Sequence, residues 1–444
     1  MSTPPPSEMR PPASRLPWLA AVGLGGLTGL LVGGLAAAFR ILVEALDERR
    51  GALFEALAPM PVLGWLGPML LVGAALLAAA ELVRRFAPEA GGSGIQEIEG
   101  ALAGQRPLRW QRVLPVKFLG AVAALGSGAV LGREGPTVHM GGAMGALIGD
   151  RIGLGDDGRH VLVAAGATAG LAAAFNAPLA GILFVIEEMR PQFRYRFASV
   201  EAVLVAAAVS VAVVRLATSQ VPVIDMPVFP PPPLAALWLF PFFGALFGVF
   251  GVAFNRLLLG TLNGIDRLPA RAHRLAPFVI GAGLGALAFL LPDAVGGGYD
   301  AIGDALVGRV AGGLLLALFA IRFAATLLSY GSGAPGGIFA PMLALGTLVG
   351  MWFGSSAHNL LPAMLPHPGV FAVAGMAAFF AATVRAPLTG IALAVEMTGD
   401  FGQILPLILT CVGATAVARA LGGRPIYALL LERTLDRSGG GTAA

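Results

Sequence analysis

The sequence predicts an all-α polytopic membrane protein built from two repeated halves. Three observations carry that prediction. Only 12% of the 444 residues are charged and 57% are hydrophobic, against about 25% charged in soluble domains. Long apolar runs recur along the chain, and clusters of glycine and proline break them. A stretch of the first half also returns in the second. Sixty-three glycines and few aromatics suit tightly packed helices in lipid, where small side chains let backbones approach.

The elements follow in order. Residues 1–15 are proline-rich and polar, with Arg10 and Arg15 ahead of the first apolar run, and read as a disordered cytoplasmic tail. Leu16 to Ala38 is too long for a signal-peptide core and long enough to span, so it is a retained first helix. Arg40, Glu44 and Asp47 to Arg50 are expected to end it. A second run, Val62 to Val83, closes at Arg84 and Arg85. Gly91-Gly92-Ser93-Gly94 then opens a segment to about Ala103 that is too short to span. A broken or re-entrant helix fits it, bounded by Arg106, Arg109 and Arg112.

Val116 to Leu131 carries one charge, Lys117, the chain's only lysine. Val161 to Glu187 is apolar but interrupted by Asn176-Ala177-Pro178, so it reads as two helices, the second ending at Glu187-Glu188-Met189-Arg190. Arg190, Arg194 and Arg196 mark a cytoplasmic face. Ser199 to Ala217 gives another helix. Residues 221–233, with four consecutive prolines, form a linker that no helix crosses. The halves are therefore about 16–220 and 234–435. The second begins with Leu234 to Leu259 and a basic cytoplasmic loop containing Arg267, Arg271 and Arg274. Apolar runs follow at Phe278 to Leu291 and Leu314 to Leu328, then a breaker cluster from Gly331 to Pro341. Further runs cover Met342 to Phe353, Val370 to Val384, Leu388 to Val395 and Ile404 to Leu421. Residues 436–444 read as a flexible tail.

Charge and cysteine narrow the function. The net charge of +4 comes from arginine and fits cytoplasmic loops better than nucleic-acid binding. Cys411 stands alone, which excludes an intrachain disulfide and cysteine metal clusters. The five histidines show no metal spacing, so neither metal nor cofactor is expected; His139 reads as a packed histidine.

The repeat is explicit. Shifting Ala165 to Glu187 by 209 positions lays it on Ala374 to Glu396 with 11 identities in 23, among them Pro178 on Pro387 and Glu187 on Glu396. The breaker loops follow, since Pro136 and Pro341 lie 205 apart. Duplicated halves with broken helices in corresponding positions mark a transporter, and they put the site where the halves meet.

Gly132-Arg133-Glu134-Gly135-Pro136 is the centre of the chain. An ionisable side chain at membrane depth faces a protein-lined or watery path. Pro136 suits a first helical turn, which leaves the amides beside Glu134 as unpaired N-terminal donors. That is an anion site with a carboxylate at its mouth.

G-S-G-I-x-E at Gly92 to Glu97, G-R-E-G-P at 132–136 and G-G-I-F-A-P at 336–341 resemble the three signatures of the CLC chloride channel and transporter family. They occur in family order, and the likeness runs from about residue 16 to residue 435. It is nearest to bacterial proton-coupled members through Ala173 to Arg196 and Gly331 to Gly350. The resemblance implies a CLC-type inverted repeat in a bacterial inner membrane, both termini cytoplasmic, assembled as a homodimer with one pore per subunit. It implies exchange of chloride for protons. Chloride would be held by the Ser93 and Tyr427 hydroxyls and the amides of Ile338 and Phe339. Glu134 would be the external gating glutamate and Glu188 the internal proton-transfer glutamate. Gln96 departs from the pattern, occupying a position that is commonly proline. Too few residues follow Tyr427 for the family's cystathionine-synthase-like pair, so regulation through that module is not expected.

The physics agrees with that assignment. Hydroxyl and amide donors can replace the water around a chloride without a full countercharge, which allows both binding and release. A deprotonated Glu134 competes for the same seat, and a protonated one leaves it open. Each bound chloride then favours a proton, and linkage makes the effect reciprocal. Two alternatives stand beside the antiporter. One is a passive chloride channel of the same fold, which family channels, lacking an acid at the position of Glu188, argue against. The other is an intramembrane serine hydrolase using Ser93, which needs a histidine partner. Arg133 either steers anions or pairs structurally. Glu187 is expected to cap a helix or pair with Arg190.

Overall fold

The computed structural model describes residues 17–189, 196–218, 224, 226–365 and 367–439. The first half contains α1 (Trp18–Leu57), α2 (Leu63–Phe86), α3 (Ile95–Leu102), α4 (Trp110–Gly126), α5 (Glu134–Ile152), α6 (Asp156–Phe175), α7 (Pro178–Glu187) and α8 (Phe197–Ala217). The second contains α9 (Leu239–Asp266), α10 (Ala270–Leu290), α11 (Tyr299–Leu306), α12 (Gly313–Gly331), α13 (Phe339–Leu360), α14 (Gly369–Val384), α15 (Pro387–Thr398), α16 (Ile404–Ala420) and α17 (Ile426–Gly439). Among the described residues, nine spans are long and apolar enough to cross a membrane.

Two layers separate by burial. The most apolar windows of α6 and α13 are 89% and 78% buried, whereas those of the other seven spans are only 33–44% buried. The seven therefore present a lipid-facing side, while α5, α6, α13 and α14 form the interior. Glycine permits that interior. A Cβ on Gly141 of α5 would meet the Gly166 carbonyl of α6, and one on Gly166 would meet the Gly141 carbonyl. The same reciprocal approach joins Gly346 of α13 to Gly375 of α14, the repeat-mates of that pair.

Reciprocal contacts are what a two-fold axis between the halves produces: residue i touches j and j touches i. Gly132 N donates to Gly337 O and Gly337 N to Gly132 O, both at 2.7 Å, so the N-termini of α5 and α13 are clamped together. Glu187, at the end of α7, accepts from Leu388 N at 3.1 Å and Thr389 N at 2.9 Å, the first amides of α15. Its repeat-mate Glu396 accepts from Leu179 N at 3.1 Å and Ala180 N at 2.7 Å, the first amides of α7. Each helix supplies the other's N-terminal cap. Among the described residues, Asn176 and Arg385 are the two non-glycine residues with positive φ, at 55° and 71°, and they too are repeat-mates. Each ends a helix just before Ala-Pro.

Several sequence expectations need correction. The first helix does not stop at Arg40 but runs to Leu57. Its charges pair along one helix face, Arg40 with Glu44 at 2.8 Å and Arg50 with Asp47 at 2.6 Å, so they cap nothing. α11 was not foreseen. α17 continues to Gly439, into the stretch read as a tail. Glu187 does cap a helix, but one from the other half, while Arg190 and Arg194 lie outside the described residues.

Candidate functional site

Three glycine loops converge. Besides the Gly132–Gly337 exchange, Gly336 N donates to Gly92 O at 2.9 Å. The starts of α3, α5 and α13 therefore meet at one point, where each leaves unpaired backbone donors.

Buried cations hold the loops. Lys117 of α4 donates to Ala90 O at 3.0 Å and Gly92 O at 2.7 Å, fixing the loop that carries Ser93. Arg322 of α12, 205 residues later, donates to Asp293 O, Val295 O and Gly296 O at 2.8–2.9 Å, fixing the loop before α11. Each loop enters its helix through a left-handed glycine, Gly94 at φ 86° and Gly298 at φ 103°. α3 and α11 are both eight residues long. The sequence signal for α11 was present, because Gly-Gly-Gly-Tyr at 296–299 repeats Gly-Ser-Gly-Ile at 92–95 with a shift of 204.

Glu134 is the fully buried first residue of α5. Its Oε2 faces Ala340 N, in the first turn of α13, at 3.4 Å. Its Oε1 accepts a 2.6 Å hydrogen bond from the Tyr299 phenol. The carboxylate thus sits where an anion would sit against the N-terminus of α13. Its amide partner is Ala340, the neighbour of Ile338 and Phe339. Arg133 pairs with Glu44 at 3.1 Å and lies 5.0 Å from the Tyr299 ring centroid.

Ser93 and Tyr427 lie together, both fully buried. Neither hydroxyl has a hydrogen-bond partner of normal geometry among the described residues. Even if one hydroxyl donates to the other, the pair keeps an O–H without an acceptor, and an anion beside them supplies one. The Tyr427 ring stacks on Phe339 with centroids 5.8 Å apart, and Phe184, Phe175 and Phe380 surround Phe339. That aromatic packing fixes the phenol's position. Ser93 N donates to the Tyr330 hydroxyl at 3.3 Å. His139 packs against Gly94, but neither of its ring nitrogens has a hydrogen-bond partner among the described residues, so no Ser–His pair forms.

Beside Gly92, the neighbour of Ser93, opens a cavity of about 790 Å³, lined also by Gln96 and Tyr330 and by arginines including Arg84, Arg106, Arg112 and Arg433. Its arginines outnumber the carboxylates among them, Glu89, Glu97 and Asp266, so the cavity carries a net positive lining that favours anions. Glu188 ends α7 away from this cavity, within electrostatic reach of Glu99 on α3 and of Glu187. Glu99 is a buried carboxylate that the sequence reading did not single out. Nothing but its spacing from the Ser93 motif marked it.

The comparisons with known proteins agree with this geometry. The family model "Voltage gated chloride channel" matches residues 73–419. The "H(+)/Cl(-) exchange transporter ClcA" of Vibrio parahaemolyticus is 50% identical over 93% of this chain and 89% of its own. The protein of the same name from Vibrio cholerae is 51% identical over 92% of this chain and 88% of its own. A solved structure described as "a slow cyanobacterial Cl-/H+ antiporter" superposes with a TM-score of 0.92 at 42% identity, covering 95% of this chain and 99% of that one. Broken helices in matching positions, three loops meeting at a carboxylate, and these matches together lead to one conclusion: the chain belongs to the voltage gated chloride channel family, the CLC proteins.

Proposed function

We propose that this protein is a proton-coupled chloride antiporter, a secondary active transporter rather than an enzyme. In this reading it works as a homodimer in a bacterial inner membrane, with one pore per subunit and both termini in the cytoplasm. The observation that carries the reading is the Glu134 carboxylate, held against the first turn of α13, with the next residue, Gly135, packed against the Ser93 hydroxyl. A carboxylate there and a chloride there exclude one another, and a proton on Glu134 removes the competitor. Ser93, Tyr427 and the amides of Ile338 and Phe339 bind chloride. Glu188 collects protons from the cytoplasm by a route separate from the arginine-lined cavity. The names of the relatives, exchange transporters at about half identity over nearly the whole chain, support the same reading.

The test is simultaneous recording of chloride and proton flux from purified protein in liposomes. A chloride gradient should drive protons uphill in fixed ratio. Chloride movement with no proton movement at any pH gradient would make the chain a passive channel.

A further inference from the structure

We propose that Tyr299 is an outer latch: its phenol holds the Glu134 carboxylate in the anion seat, and each opening of the path breaks that bond. The proposal rests on the antiporter reading for its physiological sense, but the latch itself concerns only Glu134 and chloride.

The geometry is specific. One carboxylate oxygen takes the Tyr299 hydroxyl at 2.6 Å and the other faces Ala340 N at 3.4 Å. The shorter contact is a charge-assisted hydrogen bond, about twice as strong as one between neutral partners. The phenol is held independently of the glutamate. Arg322 fixes the preceding loop through three carbonyls, and Arg133 stacks on the ring while pairing with Glu44. Tyr299 therefore does not follow the carboxylate when it leaves.

The repeat shows that this hydroxyl is an addition. The position in the first half that corresponds to Tyr299 is Ile95, which has no polar atom to offer. The first-half loop instead presents Ser93 to Tyr427. Each half thus sets one hydroxyl from the start of its short helix onto the ion path, Ser93 from the loop before α3 and Tyr299 from the first residue of α11.

The direction of the effect follows from the charge. The phenol favours the deprotonated, seated carboxylate, so chloride must displace a bonded competitor and a proton must neutralise a stabilised anion. The charged and titratable groups around the pair are Arg133 just before α5, Glu44 and Arg40 from α1, Asp300 from α11 and Arg322 from α12. Arg322 is bound to loop carbonyls, and Lys117 of α4 likewise. α13 contributes amides alone, and α6 meets α5 through glycine. None of these groups is removed by a Tyr299→Phe change, which also keeps the ring under Arg133.

The experiment measures chloride efflux and coupled proton flux from liposomes across external pH for wild type, Tyr299→Phe, Glu134→Gln and the double variant. Tyr299→Phe should raise chloride turnover several-fold near neutral pH and move the half-maximal pH of transport upward by about one unit. In the Glu134→Gln background the same change should leave chloride flux within about twofold, because the charged acceptor is already gone. An unchanged rate and pH midpoint in Tyr299→Phe overturns the latch. An equal fractional change in both backgrounds also overturns it, since the residue is then structural. If wild type carries chloride without protons, the antiporter reading fails while the chloride-efflux midpoint still reports on the latch. Should Tyr299→Phe not survive purification, Arg322→Met provides a second variant. Freeing the loop should give the same upward shift, and no shift overturns the proposal.

Discussion

Glu134 and Glu188 are both carboxylates at helix ends, yet their surroundings assign them different work. Glu134 begins α5 against the Ala340 amide and the Tyr299 phenol, in the seat proposed for a competing anion. Glu188 ends α7 within electrostatic reach of two other carboxylates, Glu99 and Glu187, the setting proposed for proton transfer. Glu134→Gln should therefore keep chloride moving down its gradient while abolishing chloride-driven proton pumping. Glu188→Gln should stop proton flux with chloride flux largely intact. Glu187 is one helical step of about 100° around the helix, and its oxygens are taken by α15. Glu187→Gln should leave the chloride-to-proton ratio intact where Glu188→Gln abolishes proton flux, and paired flux recordings separate the two. Tyr427→Ala removes one of the unsatisfied hydroxyls together with the ring stacked on Phe339. Chloride affinity measured by calorimetry should fall roughly ten- to a hundredfold, in line with the ~1.5–3 kcal/mol of a hydrogen bond to a charged group. An unchanged affinity would remove Tyr427 from the site.

Among the elements, the short helices and the loops before them carry the site, and two buried cations hold those loops. Lys117→Met should leave the Ala90 and Gly92 carbonyls without their donor and loosen Ser93, lowering chloride affinity with little change in fold. The result to look for is a weaker calorimetric isotherm with an unchanged circular dichroism spectrum. This is also the scale at which the sequence stops being readable. α3, α5 and α13 could be placed because glycine and proline punctuate them locally, and Glu134 came with those breaks, whereas Ser93, Ile338 and Phe339 received their expected roles only through the family resemblance. Tyr427 came by the same resemblance. Tyr299, Lys117, Arg322 and Glu99 were missed because their meaning lies in partners far along the chain. A lone lysine in an apolar run shows its charge, but not the carbonyls of Ala90 and Gly92 that it binds. α1 outran its expected end for a related reason, since paired charges at i and i+4 look like a terminus in one dimension and a helix face in three.

For the whole molecule, the halves are joined by backbone exchange at Gly132–Gly337 and by crossed caps between α7 and α15. Neither joint involves an ion. Glu187→Gln and Glu396→Gln should each lower thermal stability in detergent, by about 1–2 kcal/mol for a helix cap. Both should leave the chloride-to-proton ratio unchanged, and a changed ratio in Glu396→Gln would tie the joint to coupling. The crossed caps also carry a consequence for synthesis. The amides of Leu179 and Ala180 find their carboxylate at Glu396, 216–217 residues downstream. At roughly 5–20 residues per second, translation delivers that residue some ten to forty seconds after α7 emerges. Until then the first half waits in the translocon or the bilayer with the start of α7 unsealed. A ribosome-bound chain truncated before Glu396 should stay accessible to protease or chaperone at α7, and one extended past it should close.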